Sequence, residues 1–185
     1  MKKVWVLCVF LLLAGCSNET SDMERGLALR AKLLQSNSCC FTADITSDYG
    51  DKLHTFSMDC QADGRGRLAF TVTAPESIAG ITGTVSEEGG KLTFDDTALH
   101  FGLLADDQLS PVSAPWIFLK TLRSGYVRAA GKEDKLLRLT IDDSYEDDAM
   151  TLDIWLSRED RPQRAEILYD GKRILSLDVK NFEIT

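Results

Sequence analysis

From Cys39 onward the chain alternates apolar and polar residues in short runs, and the runs follow one another so closely that consecutive ones can only pair antiparallel. Leu68, Phe70 and Val72 alternate with Arg67, Ala69, Thr71 and Thr73, which describes a sheet with one apolar and one hydrated face. The pattern predicts strands at about 39–47, 52–61, 65–74, 78–85, 90–95 and 98–102, with turns at Tyr49-Gly50, Asp63-Gly64, Ala74-Pro75 and Gly89-Gly90. A second series is expected at about 126–131, 135–142, 149–157, 164–170 and 173–180, with a tail through Ile184 and a tight turn at Asp170-Gly171. Between the two series, Ser110 to Ser124 departs from alternation. Pro111 and Pro115 suit a helix start, and Trp116, Ile117, Phe118, Leu119 and Leu122 make a strongly apolar helix closed by Gly125. These elements describe an α+β chain built on one long, incompletely closed antiparallel sheet.

The N-terminus carries an address. Lys2 and Lys3 precede about ten apolar residues, Val4 to Leu13, too few to span a hydrocarbon core of about 30 Å. Leu13-Ala14-Gly15-Cys16 then reads as a bacterial lipoprotein processing site, in which small Ala14 and Gly15 fit a narrow protease cleft and the Cys16 thiol takes a diacylglyceryl group. Residues 1–15 are expected to be a signal peptide, 16–21 a lipidated polar tether, and 22–185 a single domain. The address is the extracytoplasmic face of a cell membrane, inner or outer if the source has two. A helix is expected from about Asp22, with Ser21 and Glu24 as a capping box and an apolar stripe of Met23, Leu27, Ala31 and Leu34 widened by Leu33. Gly26 weakens it by about 1 kcal/mol relative to alanine, so packing on something larger has to hold it.

Loss of the leader takes the formal charge from −8 to −10, because Lys2 and Lys3 leave and no acid does. The basic residues are scattered while acids bunch at Asp142 to Asp148, which argues against nucleic acid as a partner. Membrane contact is expected through the N-terminal lipid alone. Of the remaining cysteines, a Tyr49-Gly50 hairpin loop would set Cys39 opposite Cys60, Phe41 opposite Met58 and Ala43 opposite Phe56. The neighbouring register would pair Cys40 with Cys60. A Cys39–Cys60 disulfide is the expectation in an oxidising compartment.

Nothing in the sequence assembles a catalytic constellation. His54 and His100 stand on predicted strands outside any metal or catalytic spacing, no serine sits in a nucleophile elbow, and Gly64-Arg65-Gly66 lacks the strand-to-helix setting of a phosphate loop. The acids Asp142, Asp143, Glu146, Asp147 and Asp148 lack calcium-loop spacing and read as a solvated hairpin tip. No cofactor, metal site or enzymatic activity is expected. Apolar surface remains, and it makes either a filled core or a concave lipid-sized cleft, which Phe70, Phe94, Trp116, Phe118 and Trp155 are candidates to line.

The order of elements resembles the LolA/LolB and LppX-like superfamily of bacterial envelope proteins over about residues 22–182. The local motifs carrying the resemblance are Gly66-Arg67-Leu68-Ala69-Phe70, a glycine followed by a strand, and the Thr73-Ala74-Pro75-Glu76 turn. The resemblance implies a strongly curved half-barrel of about eleven antiparallel strands. An N-terminal helix and a central apolar helix would lie on its concave side, over a hydrophobic cavity for acyl chains. It implies a non-enzymatic protein that binds or carries a lipid or other long apolar ligand. Acylation would set this chain beside the membrane-anchored receivers rather than the soluble carrier. The rival reading is a scaffold or regulatory lipoprotein that presents a sheet edge or apolar patch to another envelope protein, such as a wall-remodelling enzyme.

Overall fold

The computed structural model describes residues 17–50, 52–95, 97–102, 104–105, 108–146 and 149–185; the expected leader, Cys16, Asp147 and Asp148 lie outside them. Helix α1 (Ser17–Gln35) leads into six strands, β1 (Ser38–Asp48), β2 (Leu53–Asp63), β3 (Leu68–Ala74), β4 (Thr82–Ser86), β5 (Gly89–Phe94) and β6 (Thr97–Phe101). A two-residue hairpin, β7 (Leu104–Ala105) and β8 (Gln108–Leu109), precedes α2 (Ala114–Ser124). The chain ends with β9 (Tyr126–Glu133), β10 (Leu136–Asp142), β11 (Thr151–Leu156), β12 (Pro162–Tyr169) and β13 (Lys172–Ile184). Apart from the small hairpin, the strands form one eleven-stranded sheet in the order β6-β5-β4-β3-β2-β1-β13-β12-β11-β10-β9. All of its pairings are antiparallel. The sheet is not closed: β6 and β9 are its two edges, and the result is a half-barrel.

This order follows from the short turns. Residues 38–101 run as a meander from the middle of the sheet to one edge, residues 126–184 run as a second meander from the other edge back to the middle, and β1 and β13 meet at the seam. The segment between them has to pass from edge to edge across the sheet's open side. That segment carries α2.

Alternation sorts the inner face as expected. Phe41, Ala43 and Ile45 of β1, Phe56, Met58 and Cys60 of β2, Leu137, Leu139 and Ile141 of β10, and Leu175, Leu177 and Val179 of β13 are all buried in one core. Phe118 of α2 closes onto the seam, with its ring centroid 5.7 Å from that of Phe41 on β1 and 6.3 Å from that of Phe182 on β13. Edge-to-face contacts of this kind add to the area term in a core.

Three local expectations are corrected. The β1–β2 loop spans four residues, with the Tyr49 amide donating to the Lys52 carbonyl at 3.1 Å and Gly50 at φ +86°. Register therefore shifts by two, pairing Cys39 with Ala62, Phe41 with Cys60 and Ala43 with Met58. An even shift preserves facing, so the inner face is unchanged. The β4–β5 turn lies at Glu87-Glu88, since Ser86 pairs with Gly89, rather than at Gly89-Gly90.

Helix α1 also differs. It is described from Ser17, so residues 17–21 of the expected tether are helical and Ser21 lies inside the helix rather than at its cap; no glycine or proline interrupts Ser17–Arg25. From residue 21 onward its buried residues are Asp22, Gly26, Leu29 and Leu33, while Leu27 and Leu34 are 46% and 55% exposed. The burial stripe is rotated by about a third of a turn from the leucine-rich one. Gly26 explains the rotation: a Cβ there would lie 2.7 Å from Cδ1 of fully buried Leu139, so the helix approaches β10 through its smallest residue. Arg25 fixes the orientation, its Nε donating to Asp160 Oδ1 at 2.8 Å and its Nη2 to the Ser157 carbonyl at 3.2 Å.

This contact generates a testable coupling. Leu139→Ala should cost about 2–5 kcal/mol. Gly26→Ala alone sets a helix gain of about 1 kcal/mol against an overpacking cost of about 1–3 kcal/mol, giving a neutral or destabilised protein. In the Leu139→Ala background the overlap is gone, and the same substitution should stabilise by about 1 kcal/mol. Urea denaturation of the four proteins checks the sign change.

Candidate functional site

The inner face of the half-barrel and its closing helix form the candidate site. In α2, every residue from Ala114 to Leu119 is buried, as are Thr121 and Leu122. A helix buried nearly all round has to be walled on several sides. The polar contacts holding it are few and lie at its ends. Trp116 Nε1 donates to the Gly66 carbonyl at 2.9 Å, and Arg123 Nη2 donates to the Gly64 carbonyl at 2.9 Å, both in the β2–β3 turn. From α1, Arg30 Nε donates to the Leu122 carbonyl at 2.8 Å, satisfying an acceptor that the last helical turn leaves open. The Arg30 guanidinium is partly enclosed, its Nη2 is buried without a partner, and burial lowers its pKa.

The five expected lining residues separate. Phe70, Trp116 and Phe118 do converge on the inner face, buried to 4%, 4% and 0% exposure, and are packed into the core. Phe70 lies over Gly83, where a Cβ would sit 2.5 Å from its ring. Phe94 is a correction: it stands near the end of edge hairpin β5–β6, 56% exposed, with Leu99 at 63%. Trp155 is a second correction. Leu152, Ile154 and Leu156 of β11 occupy the core, so strand alternation sends Trp155 to the outer face. There its ring is sandwiched between the guanidiniums of Arg138 and Arg164, 5.3 and 4.9 Å from the centroid. Beside it Asp153, 3% exposed, accepts from Arg138 at 2.6 Å and from Thr140 at 2.6 Å. Sequence reasoning missed this cluster; the available signal was an acid and a tryptophan on the odd positions of an otherwise apolar strand.

Several clefts open around the core. One, of about 720 Å³, lies between α2, the C-terminal end of α1 and the turns of β2–β3 and β4–β5; Leu34, Leu68, Trp116, Leu119, Lys120 and Arg123 are among its walls. Another, of about 460 Å³, runs along α1 past Met23, Leu27 and Arg30 to Tyr126 and Tyr145, whose rings lie 5.3 Å apart. His54 and His100 are exposed on their strands. Among the described residues, no three His, Cys, Asp or Glu side chains come together as metal ligands. Asp142 is tied to Arg128 at 3.3 Å and to Thr151 at 2.9 Å, and Asp143 accepts the Met150 amide at 2.8 Å, so these acids shape the β10–β11 connection.

Cys39, Cys40 and Cys60 are unbridged in the structure, and the register sets Cys39 opposite Ala62 rather than opposite Cys60 as expected. With Cys39 opposite Ala62, it and Cys60 share the inner face one diagonal step apart, while Cys40 points outward. Burial pushes the Cys39 thiol up to about 12, with neighbouring Cys40 adding to the shift, and burial raises Cys60 as well.

No family model matches the chain, and no curated protein matches it. Among solved structures, it is similar to an uncharacterized conserved protein from Thermus thermophilus, at 13% identity and TM-score 0.48, over 88% of this chain and 87% of that one. It is also similar to a LolA superfamily protein from Nitrosomonas europaea, at 8% identity and TM-score 0.45, over 86% and 93%. The Mycobacterium tuberculosis lipoprotein LppX gives 14% identity and TM-score 0.43, over 88% and 93%. The open eleven-stranded sheet with a helix in its crossover is the architecture expected from the sequence resemblance.

The thiols give a direct check. At pH 8 iodoacetamide should label Cys40 of the folded protein and leave Cys39 and Cys60 unlabelled; unfolding without reductant should raise the labelled count among these three from one to three. A Cys39–Cys60 bridge would hold it at one. Because the folded thiols titrate above the ordinary value of 9.0, the unfolded chain loses its protons first. Their contribution to stability is therefore intact below pH 9 and falls as pH rises toward about 12.

Proposed function

We propose that this chain is a membrane-anchored, extracytoplasmic, non-enzymatic lipoprotein that binds or carries a lipid or other long apolar ligand in its half-barrel. The ligand's seat is the space α2 now fills. The observation supporting this reading is that one short apolar helix plugs the open side of an apolar sheet, while its side chains and end are pinned to the rim by a few hydrogen bonds. An acyl chain entering beneath α2 exchanges one apolar contact for another, at about 0.8 kcal/mol per buried CH₂ on either side of the exchange. Small differences in helix position then decide between uptake and release. Cys16, acylated after removal of residues 1–15, would hold α1 close to the membrane, because the next residue, Ser17, is already helical.

A second reading has its own support. Phe94 and Leu99 are exposed on a hairpin whose outer strand, β6, is an unpaired sheet edge, a surface suited to docking another envelope protein by strand addition.

Shrinking the plug separates the two. Phe118→Leu should lower stability by about 1–2 kcal/mol, measured by urea denaturation. It should also strengthen uptake of a fluorescent fatty acid several-fold, because the chain fills the space released. Organic extraction of the purified wild-type protein should yield co-purified lipid. Stability lost with no uptake by either protein, and no extracted lipid, would sink the ligand reading and leave docking, for which cross-linking in cells should give one dominant protein adduct.

A further inference from the structure

The chain is acidic overall, yet four of its cations meet at one cleft. Arg65 and Arg67 reach it from the β2–β3 turn, and Lys120 and Arg123 from α2, more than fifty residues further along the chain. Glu87 and Glu88 in the β4–β5 turn are the acids among its lining residues, so the lining carries +2 in a chain of −8. The cations are not spent on those acids. Lys120 Nζ lies 5.5 Å from the Trp116 ring centroid, and Arg123 donates to the main-chain carbonyls of Gly64 and Asp63. Arg67 pairs with Asp63 at 3.4 Å. Among the described residues, Arg65 and Lys120 have no carboxylate within ion-pair distance.

The same lining includes apolar side chains, most of them nearly or fully buried. Leu68 belongs to the inner face of the sheet, Trp116 and Leu119 belong to α2, and Leu34 presents a half-exposed side chain from α1. The floor is therefore the joint between α2 and β3, where a chain entering beneath the helix would pass. At about 720 Å³ the cleft falls in the range of small-ligand sites. Cations above an apolar crevice fit an amphiphile with a negatively charged head, and fit a neutral or zwitterionic one less well.

We propose that this cleft is the headgroup seat of an anionic lipid whose acyl chain runs into the half-barrel. The inference rests on the ligand reading above and adds the charge of the ligand and the residues that select it. Arg65 and Lys120 make the selecting contacts; Arg67 and Arg123 are partly engaged in holding the turn.

Trp116 lies in the cleft wall and reports on occupancy, whereas Trp155 stands on the opposite face and can be replaced by Phe. The lipidated Trp155→Phe protein, anchored in phosphatidylcholine vesicles, is titrated with chain-brominated phosphatidylglycerol or chain-brominated phosphatidylcholine while Trp116 fluorescence is followed. Half-quenching is expected at about a tenfold lower mole fraction of the anionic lipid, an advantage that shrinks in high salt. Arg65→Glu with Lys120→Glu should abolish the preference and leave quenching by phosphatidylcholine unchanged. Monomeric dihexanoylphosphatidylglycerol should displace the anionic quencher from a discrete seat. Equal quenching by both lipids, a preference that survives the double substitution, or no displacement by the short-chain lipid would overturn the headgroup seat while leaving the ligand reading standing. No quenching by either lipid would remove the ligand reading itself.

Discussion

An open sheet whose two meanders run between its edges and its middle leaves its chain with one obligatory crossing. Strand β6 ends at one edge and β9 begins at the other, so the connection has to traverse the open side of the half-barrel. That side is lined with inward leucine, isoleucine and phenylalanine side chains, so a polar connection would leave apolar surface wet and an extended one would leave backbone groups unpaired. A helix satisfies both demands, since its backbone bonds are internal and its surface can be apolar. The burial of α2 nearly all round, its contact with the β1–β13 seam through Phe118, and its capture by Arg30 of α1 all follow from that crossing.

The same geometry divides the chemistry of the two faces. The inner face is given almost wholly to packing, and Trp116, Arg123 and Arg30 at its margin bond main-chain carbonyls. The outer face carries the charges, mostly as exposed pairs that contribute little individually, such as Lys180 with Asp44 at 2.6 Å. Asp153 differs because it is buried. Its two partners, Arg138 and Thr140, satisfy it fully, and Arg138 in turn covers Trp155. Removing one partner would strand a desolvated carboxylate, so this cluster acts as a structural rivet on the outside of β10, β11 and β12.

The sequence made the strands, their antiparallel pairing and the helical crossover legible because each depends on local signals: period, turn residues and connection length. Register was less legible. A four-residue β1–β2 loop and the two-residue loop expected at Tyr49-Gly50 give the same facing, so parity could not tell Cys39–Ala62 from Cys39–Cys60. The face of α1 was misjudged because leucines were weighed and Gly26 was treated as a flaw, whereas close approach to Leu139 makes the glycine side the buried one. Trp155 was misplaced because hydrophobicity was counted without parity, although Leu152, Ile154 and Leu156 already claimed the inner face. Phe94 was misplaced for a different reason: edge position comes from sheet order, which no local signal contains. The convergence of Arg65 and Arg67 with Lys120 and Arg123 was invisible for the same reason.

Whether the plug can move is a matter of balance rather than of total burial. The apolar area that α2 hides is large, and opening the helix into water would cost more than such a protein can spare from a stability of about 5–15 kcal/mol. Opening it onto an acyl chain is different. The sheet keeps apolar contacts, the helix keeps one side covered, and the uncompensated terms reduce to the hydrogen bonds from Trp116, Arg123 and Arg30, each worth about 0.5–1.5 kcal/mol net, or somewhat more for the charged donors. Those terms are of the size that separates two populated states of a protein. On the proposed reading, a helix fastened at its ends by a few bonds, and everywhere else by interchangeable apolar contact, would be stable without ligand and yet yield to one. Anchoring α1 at a membrane would place it where such ligands are abundant.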